Sequence, residues 1–124
     1  MRIKFMTLSV LCLCLLAITS DSSATTRSNT LTCRFQNDDQ YTIDLRFFER
    51  FRNLVWPREN QVYVLDDSAV RSITLSCNSG DYICYGASES GNPKTYWGKG
   101  IDGKKGCSRC CYYCGSQTRT IRLH

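Results

Sequence analysis

The sequence predicts a mainly β protein, a small antiparallel sandwich or barrel with one short helix, held together by disulfides. Short runs of alternating apolar and polar residues, separated by turn-forming residues, are typical of half-buried strands. Only one segment has the period of a helix. Nine cysteines among 124 residues indicate a fold stapled by covalent bridges. The composition, 42% apolar and 22% charged, is that of one globular domain.

Residues 1–24 are predicted to be a signal peptide and not part of the fold. Arg2 and Lys4 supply positive charge, residues 5–18 are almost entirely apolar, and small residues lead up to a cleavage site after Ala24. The apolar run is shorter than the ~20 residues that a membrane-spanning helix needs. We therefore expect a secreted or periplasmic chain without a membrane span, folded as a single cysteine-rich β domain over residues 25–124.

The alternating pattern predicts six or seven short strands, the optional one lying around Tyr96 and Trp97, and two hairpins. The turn sequences at residues 37–39 (Asn-Asp-Asp) and 78–81 (Asn-Ser-Gly-Asp) each join two neighbouring runs and predict the hairpins. The predicted strands cover residues 31–35, 41–45, 60–65, 71–77, 82–85, 94–100 and 118–123.

One segment, residues 46–57, has helical periodicity. Counted from Phe47, its apolar residues fall at i, i+1, i+4, i+7 and i+8, and charged residues occupy the opposite face. Pro57 would end the element. The pattern predicts one short helix.

Seven cysteines remain once the signal peptide is removed, and all are disulfide candidates because export places them in an oxidising compartment. Seven is odd, so at least one thiol is free or pairs with another chain. Local pairing would leave Cys33 free, whereas long-range pairing would join it to the C-terminal cluster; both patterns stay open. The candidates are Cys33, Cys77, Cys84, Cys107, Cys110, Cys111 and Cys114.

Four of these cysteines lie within residues 107–114 (CSRCCYYC). Their spacing suits either a tetrathiolate metal site or disulfides. No loop separates the two C-x-x-C pairs, so we expect disulfides and no metal. A C-x-x-C redox centre would need a βαβ setting, which the pattern lacks. If the hairpin around residues 78–81 turns Cys77 and Cys84 toward the core, at least one of them is expected to bond to the cluster.

Charge is distributed unevenly along the chain. The mature protein would carry +4, because the signal peptide takes two basic residues and one acidic residue from a total of +5. Residues 25–93 hold 7 basic and 9 acidic side chains, whereas residues 94–124 hold 7 basic and 1 acidic. The basic third also gathers aromatic rings, a composition typical of binding surfaces. The candidate surface residues are Tyr96, Trp97, Lys99, Lys104, Lys105, Arg109, Tyr112 and Tyr113.

This surface predicts a protein or an anionic glycan as partner, outside the cytoplasm. Nucleic acid is not expected, because no recognised nucleic-acid-binding motif is present. Two plainer interpretations compete: the charge serves solubility, and the rings pack over the disulfides as core.

Catalytic chemistry is poorly represented. The only histidine is His124, the last residue, where a rigid general base is not expected. No phosphate loop, nucleophile elbow or zinc-protease motif occurs, and no cofactor is expected. The acidic residues could supply a carboxylate pair for glycoside hydrolysis, but their spacing selects none. They include Glu49, Glu59, Asp66, Asp67, Asp81, Glu89 and Asp102.

Three segments occur in a recognisable order: ICYGA at residues 83–87, YWGKG at 96–100 and the cysteine run at 107–114. This order resembles that of small exported cysteine-rich bacterial proteins of unassigned function. The resemblance covers residues 73–123 and implies an exported single domain without a particular mechanism.

The sequence as a whole favours a non-enzymatic exported binding protein, such as an inhibitor, an immunity-type protein or an effector. A small carboxylate-based hydrolase and a structural component of the cell envelope are the alternatives.

Overall fold

The computed structural model describes residues 29–124, which form nine β-strands and no helix. The predicted signal peptide lies outside the described residues. The mainly β prediction is confirmed, and no described segment is a helix able to cross a membrane. The strands are β1 (Thr30–Asn37), β2 (Ile43–Glu49), β3 (Val55–Trp56), β4 (Tyr63–Leu65), β5 (Val70–Ser76), β6 (Tyr82–Glu89), β7 (Asn92–Gly98), β8 (Cys111–Tyr113) and β9 (Gln117–Leu123).

The strands form two sheets. In the smaller sheet β1 lies between β5, which runs antiparallel to it, and β9, which runs parallel. The larger sheet is built on the antiparallel pair β2 and β6. Two short strands, β3 and β4, pair with β2, while β7 and β8 pair with successive halves of β6. Across residues 29–124 the strands close neither a barrel nor a complete sandwich.

A single hydrophobic core joins the two sheets, because each contributes alternate side chains to it. The Phe35 ring of β1 meets Phe47 of β2 and Tyr85 of β6 edge to face, with centroids 5.9 and 5.3 Å apart. The largest fully buried side chains are Leu31, Cys33, Phe35, Ile43, Leu45, Phe47, Leu75, Ile83, Cys84 and Leu123.

Both predicted hairpins are wrong, although both turns exist. The chain reverses at residues 78–81, where the Asp81 N–H donates to the Asn78 carbonyl over 2.9 Å. The buried Asn37 amide holds the other corner by donating to the Tyr41 and Leu65 carbonyls. The strands on the two sides of each turn belong to different sheets. Turn-forming residues thus predicted where the chain reverses, but not which strand it pairs with next.

The predicted helix at residues 46–57 is also wrong. This segment continues β2 as far as Glu49, with Phe47 buried and Phe51 75% exposed in the loop that follows. The Glu49 carboxylate organises that loop by accepting the N–H groups of Phe51 and Arg52 at 2.7 and 2.6 Å. Because β6 supplies a complete strand partner along β2, sheet pairing overrides the helical period.

Candidate binding surface

The outer face of the larger sheet is covered by the C-terminal segment 99–110, here called the cover loop. Arg46 reaches this loop from β2, donating from its Nη1 to the Ile101 carbonyl over 3.4 Å. Gly86 is buried in β6, and a Cβ on it would overlap the Gly100 carbonyl oxygen. Only glycine permits this backbone approach. The predicted basic surface therefore consists largely of a loop that lies flat on a sheet.

Tyr96 and Lys105 form the most distinctive contact of this surface. Tyr96 pairs with Ser88 and is 43% exposed, whereas its neighbour Trp97 pairs with Ala87 and packs on the core. The Lys105 ammonium lies 5.2 Å from the centre of the Tyr96 ring, within cation–π range. The structure thus brings a predicted aromatic residue of β7 to a predicted lysine of the cover loop.

Beside this contact lies a cleft of about 240 Å³. Two lysines stand at its border, and Pro93 and Ile101 supply apolar surface. The carboxylate of Asp102 accepts the Lys104 N–H over 3.0 Å, which fixes the local turn. Sequence reasoning missed Pro93 and Ile101, because an isolated apolar residue in a polar segment carries no periodic signal. The lining residues are Pro93, Lys94, Gly100, Ile101, Asp102 and Lys105.

Two predicted surface rings pack on the core instead of standing free. Trp97 donates from Nε1 to the His124 carbonyl over 3.0 Å. Tyr112 is half-buried, and burial, reinforced by the nearby Cys33, raises the pKa of its hydroxyl. For these two residues the plainer interpretation, that the rings belong to the core, describes the structure.

The remaining predicted residues are distributed along the sheet. Tyr113 is 60% exposed and packs on Tyr82, with ring centroids 4.5 Å apart, at the opposite end of β6 from Tyr96. The three remaining cations belong to the cover loop, where Lys99 is half-buried while Lys104 and Arg109 are exposed. The structure therefore brings Lys105 to Tyr96 and leaves Tyr113 at the other end of β6.

Three disulfides hold the C-terminal segment. Two of them tie this segment to the rest of the fold through Cys77 and Cys84. A bridge from Cys77 or Cys84 to the cysteine cluster was expected, but the hairpin from which it was inferred does not form. Cys84 and Cys111 are direct partners on β6 and β8, with Cα atoms 3.9 Å apart. These bridges indicate an oxidising, extracytoplasmic environment. The pairs are Cys77–Cys114, Cys84–Cys111 and Cys107–Cys110.

Cys33 is the free cysteine among the described residues. It is fully buried in β1, and burial raises the pKa of its thiol to about 12. Because the thiolate is the reactive form, this cysteine behaves as a small core side chain.

The carboxylates with the most extensive contacts have structural roles. Glu49 accepts three backbone N–H groups, the third from Tyr82 at 2.9 Å, and Asp81 forms an ion pair with Arg52. Glu49 lines a second cleft, of about 310 Å³, between the cover loop and the loop after β2. The other residues that line this second cleft are Phe48, Arg52, Asn53, Leu54, Val55, Glu59 and Gly103.

The structure also brings together two acidic side chains that the sequence did not pair, Asp39 and Glu89. Their hydrogen bond, followed by burial, raises the pKa of Glu89. Asp39 Oδ2 is buried without a hydrogen-bond partner, and Asn92 donates to Glu89 over 3.1 Å. Neither carboxylate lines either of the two clefts described above, which argues against using this pair for hydrolysis there.

Comparison with protein-family models, curated proteins and solved structures finds no match to this chain. The resemblance to exported cysteine-rich proteins stays a prediction.

Proposed function

We propose that this is an exported, non-enzymatic binding protein that holds an anionic partner, a protein or a glycan, against β7 and the cover loop. The observation that carries the proposal is the placement of the Lys105 ammonium over the exposed Tyr96 ring beside a cleft bordered by Lys94. The partner would meet it in the periplasm or outside the cell, as an inhibitor, immunity-type protein or effector does.

The lysines of this surface form no ion pair with a described residue. The ion pairs found within residues 29–124 all use arginine: Arg52–Asp81, Arg71–Asp67 and Arg122–Asp38. Lys94 and Lys105 have no such partner in this range. Asp102, the one acidic residue after residue 93, instead accepts a backbone N–H. The ammonium groups are thus available to an external carboxylate or sulfate.

The cleft supplies both kinds of contact that a glycan or an acidic peptide requires. Pro93, Ile101 and the Tyr96 ring offer apolar surface, and the two lysines beside them offer charge. Aromatic rings next to cations provide contact area at small entropic cost. A surface of this kind binds without a catalytic group.

The test is a charge reversal with a matched control. We expect Lys94→Glu with Lys105→Glu to abolish retention on an immobilised sulfated polysaccharide and on polyglutamate at low salt. The control, Arg58→Glu with Arg119→Glu, makes the same change in net charge at exposed residues elsewhere and should retain most binding. Wild-type binding should weaken with salt, because exposed charges are screened over ~10 Å at 0.1 M. Equal losses in both double variants would contradict the proposal and assign the lysines to solubility.

A further inference from the structure

At the end of the cover loop the fold collects four cysteine sulfurs, one of which, that of Cys84, comes from a distant part of the sequence. The Sγ atoms of Cys84, Cys110 and Cys111 all lie within 4.8 Å of one another, and Cys107 is bonded to Cys110. Cys84 comes from β6, and the other three belong to the cover loop and the start of β8. Cys114, which the sequence grouped with them, is bonded to Cys77 instead.

We propose that these four sulfurs form a tetrathiolate site for a thiophilic divalent ion, Zn²⁺ in particular, when the two bridges among them are reduced. The argument from sequence against a metal was the absence of a loop between adjacent C-x-x-C pairs. That argument does not apply to this set, because Cys84 replaces Cys114 and approaches from a neighbouring strand. The site is independent of the polyanion-binding surface proposed above.

The spacing of one sulfur pair already fits the ion. Zinc bound by thiolates at about 2.3 Å in a tetrahedron places neighbouring sulfurs about 3.8 Å apart. The Sγ atoms of Cys110 and Cys111, which are not bonded to each other, lie 3.8 Å apart. Cys84 lies directly opposite Cys111 in the register of β6 and β8. The polypeptide therefore sets at least one edge of the tetrahedron in advance.

Burial and charge also suit a thiolate centre. Cys84 and Cys110 are 1% and 2% exposed, which would shield the ion from water, while Cys107 is exposed and gives access. Four thiolates around Zn²⁺ leave a net charge of −2. The cover loop supplies cations next to that charge, including Lys105 and Arg109, which flank Cys107 and Cys110 in the chain.

A dithiol serves as the reductant of the two bridges. Each bridge takes up two electrons and two protons, the two S–S bonds break, and two dithiol molecules become two disulfides. The four resulting thiols then lose four protons as Zn²⁺ binds their sulfurs. Oxidation reverses the sequence and expels the ion, so metal and disulfides are alternative states of one cluster.

The experiment uses protein reduced with a phosphine, which does not compete for metal as a dithiol would. Co²⁺ serves as the spectroscopic probe. We expect one Co²⁺ per chain, with the visible and thiolate charge-transfer bands of a tetrahedral sulfur site, and displacement by Zn²⁺. The oxidised protein should take up none. Near-ultraviolet circular dichroism follows whether the reduced chain keeps, or regains with metal, its tertiary structure.

Two variants and one control locate the site. Cys84→Ser and Cys107→Ser should each weaken Zn²⁺ binding by more than the roughly 10-fold typical for loss of a second-shell partner. Cys107 is exposed, so its replacement leaves the packing intact. Cys33→Ala removes one thiol outside the cluster and should bind as wild type does. No uptake by the reduced chain, or equal weakening in Cys33→Ala and Cys107→Ser, would overturn the proposal.

Discussion

The two faces of the larger sheet are stabilised in different ways. Its inner face meets the smaller sheet through interlocking aliphatic and aromatic side chains such as Phe35, Leu45 and Phe47. Its outer face meets the cover loop, which brings mainly lysines, glycines and cysteines. Hydrophobic burial holds the first interface, whereas close backbone approach, together with the Cys84–Cys111 bridge directly after the cover loop, holds the second.

The difference shows how a segment poor in apolar residues can still be ordered. The cover loop buries little apolar surface and therefore gains little free energy from the hydrophobic effect. It depends instead on a disulfide and on backbone contacts, which stabilise it without apolar burial. Because the cover loop is not held by side-chain packing, its lysines are free to face an external partner. Four substitutions, taken from the largest expected effect to the smallest, test how the two faces and the acidic pair are stabilised.

Phe35→Ala should give the largest loss, because it empties the centre of the inner core. Phe35 is fully buried and contacts Phe47 and Tyr85 edge to face. We expect the free energy of unfolding of the oxidised protein to fall by about 3–5 kcal/mol, measured by chemical denaturation. Phe51→Ala, at a ring that is 75% exposed, should change it by less than about 0.5 kcal/mol. Similar losses in both variants would show that the inner face is not the principal core.

Cys84→Ser should destabilise by about 2–5 kcal/mol, the usual effect of losing a native bridge from a small secreted domain. The loss should fall on the outer face, so a protease should cleave residues 99–106 sooner than in the wild type. Under a phosphine reductant without metal, variant and wild type should become equally stable. A difference that persists under reduction would mean that Cys84 acts through packing instead of its bond to Cys111.

Gly86→Ala tests the backbone approach alone. Its Cβ would overlap the Gly100 carbonyl, and because both groups are backbone or fixed to it, the cover loop must shift. We expect a loss of about 1–3 kcal/mol, as for overpacked sites, together with weaker polyanion binding. Gly106→Ala is the matched control, since its Cβ would meet nothing within 4 Å. Equal stability of the two variants would contradict the close contact.

The smallest effect concerns pH. The hydrogen bond to Asp39 raises the pKa of Glu89, so the folded chain holds this proton more tightly than the unfolded chain. The resulting stabilisation is complete at a pH below the pKa of Glu89 in the unfolded chain. It is lost as pH rises through the pKa of Glu89 in the folded chain. Glu89→Gln keeps a donor toward the Asp39 carboxylate at every pH. It should therefore stabilise the protein at pH 7, with a difference that shrinks below about pH 4; Glu59→Gln, at an exposed site, should show no such trend.

The strands were predictable because each places one face on the core. The period-2 pattern predicted β1, β5 and β9 close to their observed bounds. It failed at residues 46–57, where the spacing of Phe47, Phe51 and Leu54 fits a helix as well as an interrupted strand. Sheet pairing depends on contacts between distant strands, so local turn sequences could not reveal that both predicted hairpins cross between sheets.

The candidate surface was predictable in composition but not in arrangement. Lysines and aromatic residues could be counted, and Tyr96 and Lys105 do meet. Whether a ring on β7 or β8 faces outward depends on its register with β6, which separates Tyr96 from Trp97 and Tyr113 from Tyr112. The cysteine cluster was hidden for the same reason, since Cys84 joins it through strand pairing.

The position of β9 beside β1 has a consequence for how the chain folds. The hydrogen bond from the Arg34 N–H to the Thr118 hydroxyl joins residues 84 positions apart, and the smaller sheet lacks one edge until such contacts form. A growing polypeptide therefore cannot complete this sheet before β9 has been synthesised. Loop closure over so long a span places the protein among slow folders, on the millisecond-to-second scale of β topologies rich in non-local contacts.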